Sequence, residues 1–305
     1  MTKPETQTAE QIEQALAHYL EHGYAVLRGF VSGEDLERLK SETARVREAG
    51  LQHPYTFADG NLAFEILPEE DFGTRHILQA YWFSWINPWF EAFRRSERYR
   101  TLLTSFLGPD VKQMAQQIHW KPPGAQVTGF RYHQDIRFRT ETEHYTDFVR
   151  DALTVGVAID PCKKANGCLR IFPRSHTDGY LGLSDKGDGE IMTGLTAEQE
   201  LQAAGLDPES VIDVELEPGD AVIWGLLSVH GSLPNHSNMD RAFSISAYVR
   251  ASASPNRGEW VFRDGVSTPL GKAPLPCKDD GYNSADGPVY KNTRWYASAL
   301  EEPGS

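Results

Sequence analysis

From residue 111 to about 252 the chain is a succession of short β-rich runs cut by Pro/Gly turns, and this punctuation limits the folds open to it. The runs are VKQMAQQIHW, VTGFRYHQDIRF, ALTVGVAI, CLRIF, VIDVEL, AVIWGLLSVH and AFSISAYVRAS; the turns include KPPG, DPCKKANG, PRSH and EPGD. Strands of this length with this spacing predict a sandwich or barrel, not a parallel α/β sheet. Residues 178–210 interrupt the series with a Gly/Asp-rich loop and a helix over TAEQELQAAG. Upstream, Thr8 and Gln11 form a capping box ahead of an apolar stripe of Ile12, Leu16, Tyr19 and Leu20, and Gly23 marks the stop. YAVLRGF then alternates like a short strand, and Ser32 with Asp35 caps a second helix running towards Gly50. Residues 51–75 carry no clear period. Trp82, Trp85, Trp89 and Phe93 would line one face of a helix, as buried packing or as a pocket wall. The tail, rich in Pro, Gly and Asn, predicts irregular chain laid over the body. The expected organisation is one domain over residues 1–305. It has a helical part at about 8–105, a core at about 110–250 and a tail at about 252–305.

Lys and Arg number 30 against 43 Asp and Glu, a net charge of −13, which argues against a nucleic-acid partner whose phosphates demand a basic footprint. No run approaches the roughly 18 apolar residues of a membrane helix. The opening MTKPETQTAEQIEQ has neither a basic n-region nor an apolar h-region. Three cysteines, Cys162, Cys168 and Cys277, make no disulfide framework, so a cytoplasmic setting is expected.

Chemistry enters at His133-Gln134-Asp135. On a strand, residues i and i+2 share a face, so imidazole and carboxylate can grip one metal ion together. The spacing alone is weak: His176-Thr177-Asp178 has it too, and either pair also reads as polar residues facing solvent. Context separates them. The first pair lies on an apparent strand, the second in a turn after Pro173. His230, at the end of AVIWGLLSVH, is available as a third ligand, although a histidine there also reads as a core or edge residue. Two histidines and one carboxylate with open positions are the facial arrangement of non-haem Fe(II). Arg241, 11 residues beyond His230 across a turn, can hold a distal carboxylate in a two-pronged bond, and Ser232 can add a hydrogen bond. Arg137 and Arg139 continue the face of His133 and Asp135 and suggest an anionic group on the substrate. The other reading pairs them with Glu141, Glu143 or Asp147 in solvent. Cys162 and Cys168 read as structural thiols, and His144 and His236 as surface residues.

These stretches resemble the phytanoyl-CoA dioxygenase family of Fe(II)/2-oxoglutarate oxygenases. The likeness is carried by Trp120-Lys-Pro-Pro-Gly124, Tyr132-His-Gln-Asp135, Asn166-Gly-Cys-Leu169, Pro173-Arg-Ser-His176, Glu217-Pro-Gly-Asp220 and His230-Gly-Ser-Leu-Pro-Asn235 with Arg241. It covers about residues 10–250. The resemblance implies a mainly β protein with flanking helices, its core a double-stranded β-helix (jelly-roll). It further implies iron on His133, Asp135 and His230, and 2-oxoglutarate on Arg241 and Ser232, with Gln117 as a further contact. The expected reaction is hydroxylation of an unactivated C–H of a small molecule, using O2 with ascorbate in support and releasing succinate and CO2. Desaturation, epimerisation or ring formation on the same site is the alternative. A jelly-roll that binds a ligand or senses 2-oxoglutarate without catalysis is the alternative of another class. Two departures bear on the substrate. Arg174 stands where many members have glycine, and Val155-Gly156-Val157 lacks the tryptophan that many members carry on that strand. The segment 137–150 and the tail are the expected lids.

Overall fold

The computed structural model describes residues 7–123, 128–183, 192, 196–277 and 284–291. Helix α1 (Ala9–His22) starts at the Thr8/Gln11 capping box and ends where Gly23, at φ +81°, donates its N–H to the Tyr19 carbonyl. β1 (Tyr24–Leu27) and α2 (Gly33–Leu51) follow. Ser32 makes no side-chain cap, and Asp35 is drawn off to the buried Arg98. The stretch without a clear period holds β2 (Thr56–Gly60), β3 (Leu62–Leu67) and the single-turn α3 (Glu69–Phe72). β4 (His76–Tyr81) comes next, so the four aromatics beyond residue 81 do not share one helical face. Trp82 closes the strand at φ +50°, Trp85 sits in a 3-10 turn, and only Trp89 and Phe93 lie on α4 (Pro88–Phe93), stacked 4.6 Å apart. Their role is packing.

After α5 (Glu97–Leu107) come β5 (Val111–Lys121), β6 (Phe130–His133), β7 (Ala152–Ala158) and β8 (Leu169–Ile171). Then follow α6 (Glu198–Ala203), β9 (Ile212–Val214), β10 (Ala221–Gly225), β11 (His230–Ser232) and β12 (Arg241–Arg250). The tail is less irregular than its composition suggests: β13 (Glu259–Arg263) pairs with β5, β14 (Val266–Ser267) with β13, and β15 (Ser284–Lys291) with β2.

Among the described residues the strands form two antiparallel sheets. The larger runs β1-β10-β7-β12-β5-β4-β3-β2-β15, and the smaller runs β6-β11-β8-β9. This is the expected jelly-roll, widened by strands from the part expected to be helical. The run AVIWGLLSVH does not form one strand. It breaks after Gly225, and β10 stays in the large sheet while β11 crosses to the small one. The crossing brings His230 opposite His133.

Register defines the inner face of the large sheet. One row across the strands reads Glu65, Gln79, His119, Phe243. Two residues along each strand, on the same face, lie Tyr81, Gln117, Ile245 and Gly156. A third row is Ala115, Ala247, Thr154 and Trp224. A Cβ at Gly156 would lie 2.3 Å from Phe243 Cζ and 2.9 Å from the Trp224 ring. These two rings therefore occupy the space that a tryptophan on the Gly156 strand would take. Gly156→Ala is expected to cost about 1–3 kcal/mol through overpacking, read as a lower urea midpoint with an unchanged m-value. Arg174 has φ +69°, the region that glycine adopts freely, which explains why glycine suits this position.

Candidate active site

A cavity of about 380 Å³ lies between the sheets, walled by the three rows save Gly156, by Phe130, His133, Leu169, His230, Gly231 and Ser232 of the small sheet, and by Asp135, Phe138 and Arg139. Within it the expected ligand residues meet. One ligand atom from each of His133, Asp135 and His230 lies within 4.8 Å of the others, the only such group of three among the described residues. The two imidazole Nε2 atoms stand 3.8 and 3.6 Å from Asp135 Oδ1.

Local backbone sets the tautomers. His133 Nδ1 contacts the Arg131 carbonyl at 2.8 Å, and His230 Nδ1 contacts the Ser228 carbonyl at 2.9 Å. A carbonyl only accepts, so each Nδ1 carries the proton and each Nε2 lone pair faces the carboxylate. Burial, reinforced by His230, pushes the His133 pKa below its ordinary value and keeps this ring neutral. Burial opposes ionisation of Asp135, but the positive charge that His230 or His133 carries when protonated, then Arg139 and the Thr154 hydrogen bond, outweigh it and hold the carboxyl below the usual range. Two neutral-nitrogen donors and one carboxylate oxygen fit a divalent ion of the iron type.

The path to this geometry differs from the expectation. The strand ends at His133, and Asp135 opens a 3-10 turn over Asp135–Phe138. The arginines therefore do not continue one face. Arg139 lines the cavity, whereas Arg137 lies 5.4 Å from the Phe138 ring and is not among the lining residues. Of the acids expected to pair with them, Glu141 bonds Ser254 and Asn256, and Asp147 pairs with Arg150. His176 is buried away from the site, its Nε2 against the Leu20 carbonyl at 3.2 Å. Cys162, Cys168 and Cys277 are free and buried. Of the expected lids, segment 137–150 contributes Phe138 and Arg139; no described tail residue lines the cavity.

Sequence reading missed the support of Asp135. Trp224 Nε1 donates to its Oδ2 at 3.1 Å and Thr154 Oγ1 donates to the same oxygen at 2.9 Å. These donors are cross-strand neighbours on β10 and β7. With Oδ2 occupied, Oδ1 alone faces the histidines. The available signal was a tryptophan inside the apolar run that ends in the candidate ligand His230. Trp224→Phe removes one donor and is expected to weaken Fe(II) binding about 10-fold, measured by anaerobic metal titration without 2-oxoglutarate.

Arg241 starts β12 and is 3% exposed. Among the described residues no carboxylate lies within ion-pair distance of it, and its buried Nε has no hydrogen-bond partner. Opposite it in register is Lys121, fully enclosed, which donates to Ser232 Oγ at 2.7 Å and to the Leu233 carbonyl at 2.5 Å. Burial, then the neighbouring Arg241, depress the Lys121 pKa well below the ordinary lysine value. Gln117 lines the same cavity and its Oε1 contacts His119 Nε2 at 2.8 Å. A buried guanidinium that lines the cavity with no described carboxylate against it, near the hydroxyl of Ser232 on the same cavity wall, is suited to an anion.

Comparison with known proteins agrees with this geometry. A family model described as phytanoyl-CoA dioxygenase (PhyH) matches residues 19–243. A probable alpha-ketoglutarate-dependent hypophosphite dioxygenase of Stutzerimonas stutzeri is 26% identical over 246 residues, 79% of each chain. The peroxisomal phytanoyl-CoA dioxygenase of Rattus norvegicus is 25% identical over 253 residues, 77% of this chain and 67% of the relative. In fold, the chain is similar to EctD from S. alaskensis, solved with 2-oxoglutarate and 5-hydroxyectoine. That match has TM-score 0.57 and 20% identity, covering 83% of this chain and 79% of that one.

Proposed function

The chain belongs to the phytanoyl-CoA dioxygenase family and is a non-haem Fe(II)/2-oxoglutarate-dependent oxidoreductase, and from that premise we propose that it hydroxylates an unactivated C–H bond of a small molecule. The observation that carries the reading is the convergence of His133 Nε2, His230 Nε2 and Asp135 Oδ1 in a cavity that also holds the buried guanidinium of Arg241, which no described carboxylate pairs. In this reading His133, Asp135 and His230 hold the iron. Arg241 grips the far carboxylate of 2-oxoglutarate, Ser232 adds a hydrogen bond, and Gln117 flanks the co-substrate.

When bound, iron and 2-oxoglutarate supply with O2 the oxidising power that breaks the C–H bond, with succinate and CO2 as co-products. The protein does the rest. Trp224 and Thr154 occupy Oδ2 of Asp135, so Oδ1 is the oxygen that would ligate the metal. The carbonyls of Arg131 and Ser228 hold both imidazoles in the ligating tautomer. Phe130, Phe138, Leu169 and Phe243 line the cavity with apolar surface that keeps water from the reacting centre.

The test is succinate release from purified protein with Fe(II), ascorbate and 2-oxoglutarate, screened over small molecules. Release that depends on Fe(II) and is stimulated by one compound is expected, with the product heavier by one oxygen atom. A product lighter by two hydrogens, or of unchanged mass, would replace hydroxylation by desaturation, or by epimerisation. No release with any compound, together with no binding of 2-oxoglutarate, would favour a non-catalytic role.

A further inference from the structure

We propose that Lys121 is a positioning residue of the co-substrate pocket: from behind the cavity wall it holds Ser232 so that the serine hydroxyl hydrogen points at the distal carboxylate of 2-oxoglutarate. The inference rests on the iron and 2-oxoglutarate reading above and deepens it, since in that reading Arg241 and Ser232 are the residues that meet this carboxylate.

Lys121 ends β5 directly opposite Arg241, the first residue of β12, and opposed residues of an antiparallel pair project to one face. Its Nζ donates to Ser232 Oγ at 2.7 Å and to the Leu233 carbonyl at 2.5 Å, which ties down two successive residues where β11 ends. Lys121 is 1% exposed and is not among the residues that line the cavity, whereas Ser232 and Arg241 both line it. It therefore reaches the pocket only through these neighbours.

The surroundings confine the amine to this place. A Cβ at Gly167, which has φ +73°, would fall 2.2 Å from the Leu233 carbonyl oxygen and 3.0 Å from Lys121 Nζ. The Phe130 ring lies 5.5 Å from Nζ, and the buried Asn235 donates to the Lys121 carbonyl at 2.8 Å.

A hydroxyl has a single hydrogen to give and accepts through its lone pairs. Among the described residues Lys121 is the one hydrogen-bond partner of Ser232 Oγ, and it is the donor. An oxygen that accepts from behind keeps its own hydrogen for the cavity side, and accepting from the amine polarises the O–H towards an anion. Packing alone does not call for a lysine here. Burial and Arg241 both disfavour its charged form, and a carboxylate held by Arg241 offsets that cost.

The test is anaerobic titration calorimetry of the full, Fe(II)-loaded chain with two 2-oxo acids: 2-oxoglutarate, and pyruvate, which lacks the distal carboxylate. Lys121→Met should raise the Kd for 2-oxoglutarate about 5- to 10-fold and leave that for pyruvate within about twofold. Damage to the fold or to the metal centre weakens both acids and cannot imitate this split. Lys121→Gln, which keeps an N–H donor on a shorter stem, guards against misfolding and should show the same split. Ser232→Ala should raise the Kd for 2-oxoglutarate about 10-fold, and adding Lys121→Met to it should change that value by no more than about twofold, because the amine acts through the hydroxyl. Equal weakening for both acids in both Lys121 variants, an unchanged Kd for 2-oxoglutarate in Lys121→Met, or effects that multiply to about 50- to 100-fold in the double variant would overturn the inference and leave the oxygenase reading standing. Wild type that binds neither acid would strike the oxygenase reading, and this inference would fall with it.

Discussion

Asp135→Asn is expected to weaken Fe(II) binding by at least about 100-fold and to abolish substrate-stimulated succinate release, while leaving the fold intact. The hydrogen bonds around Asp135 dictate which end of the new amide faces the metal. Trp224 Nε1 and Thr154 Oγ1 are both donors, and both point at Oδ2. The asparagine carbonyl oxygen will take that position, because the alternative sets an NH2 group against two donors. The NH2 group then faces His133 and His230, where it offers no lone pair to a cation and adds no negative charge. Removal of an outer partner of a metal ligand typically costs 10–100-fold in affinity; loss of the ligand itself should cost more. Asp135→Ala is the harsher change, since it leaves two donors unsatisfied at about 1–3 kcal/mol each. Anaerobic Fe(II) titration gives the affinity, and a urea melt of the metal-free protein checks the fold. Unaltered affinity in Asp135→Asn would remove this residue from the ligand set.

Arg241→Met should raise the KM for 2-oxoglutarate about 30- to 1,000-fold, as expected for loss of about 2–4 kcal/mol when one partner of a buried charge pair is truncated. The same change should not destabilise the ligand-free protein. Arg241 is buried beside a second buried basic group, Lys121, whose charged form burial and Arg241 disfavour, and no described carboxylate compensates it. Methionine keeps the aliphatic stem and removes a buried, uncompensated charge, so the ligand-free melting temperature should hold or rise. Wild type should gain thermal stability on addition of 2-oxoglutarate, by linkage, and the variant should lose that gain. A variant that melts earlier and still binds 2-oxoglutarate normally would make Arg241 a structural residue.

Much of the candidate site was legible because its chemistry is carried by rare combinations at fixed spacing. His133-x-Asp135, His230 and Arg241 could be paired before any coordinates, and all four line one cavity. The supporting residues were not legible. Trp224, Thr154 and Lys121 each look ordinary in sequence: an aromatic and a β-branched residue within strands, and a lysine before a turn. Their roles depend on which strand lies alongside, and strand order is a long-range property. Arg137 shows the opposite failure. Its alternation with Asp135 suggested a shared face, but backbone hydrogen bonds to Gln134 and Ile136 wind the chain into a 3-10 turn and change the period.

The sequence by itself determined the alternation of short strands and turns, the cap of the first helix, and the set of side chains able to bind a metal and an anion. These follow from local backbone preferences and from the chemistry of single residues. Only the tertiary structure decided that AVIWGLLSVH divides between two sheets, that Asp135 is held by one oxygen, and that Arg139 rather than Arg137 enters the cavity. Each of these depends on contacts between segments distant in the chain, where burial makes unsatisfied polar groups costly and so selects one arrangement among those the local sequence permits.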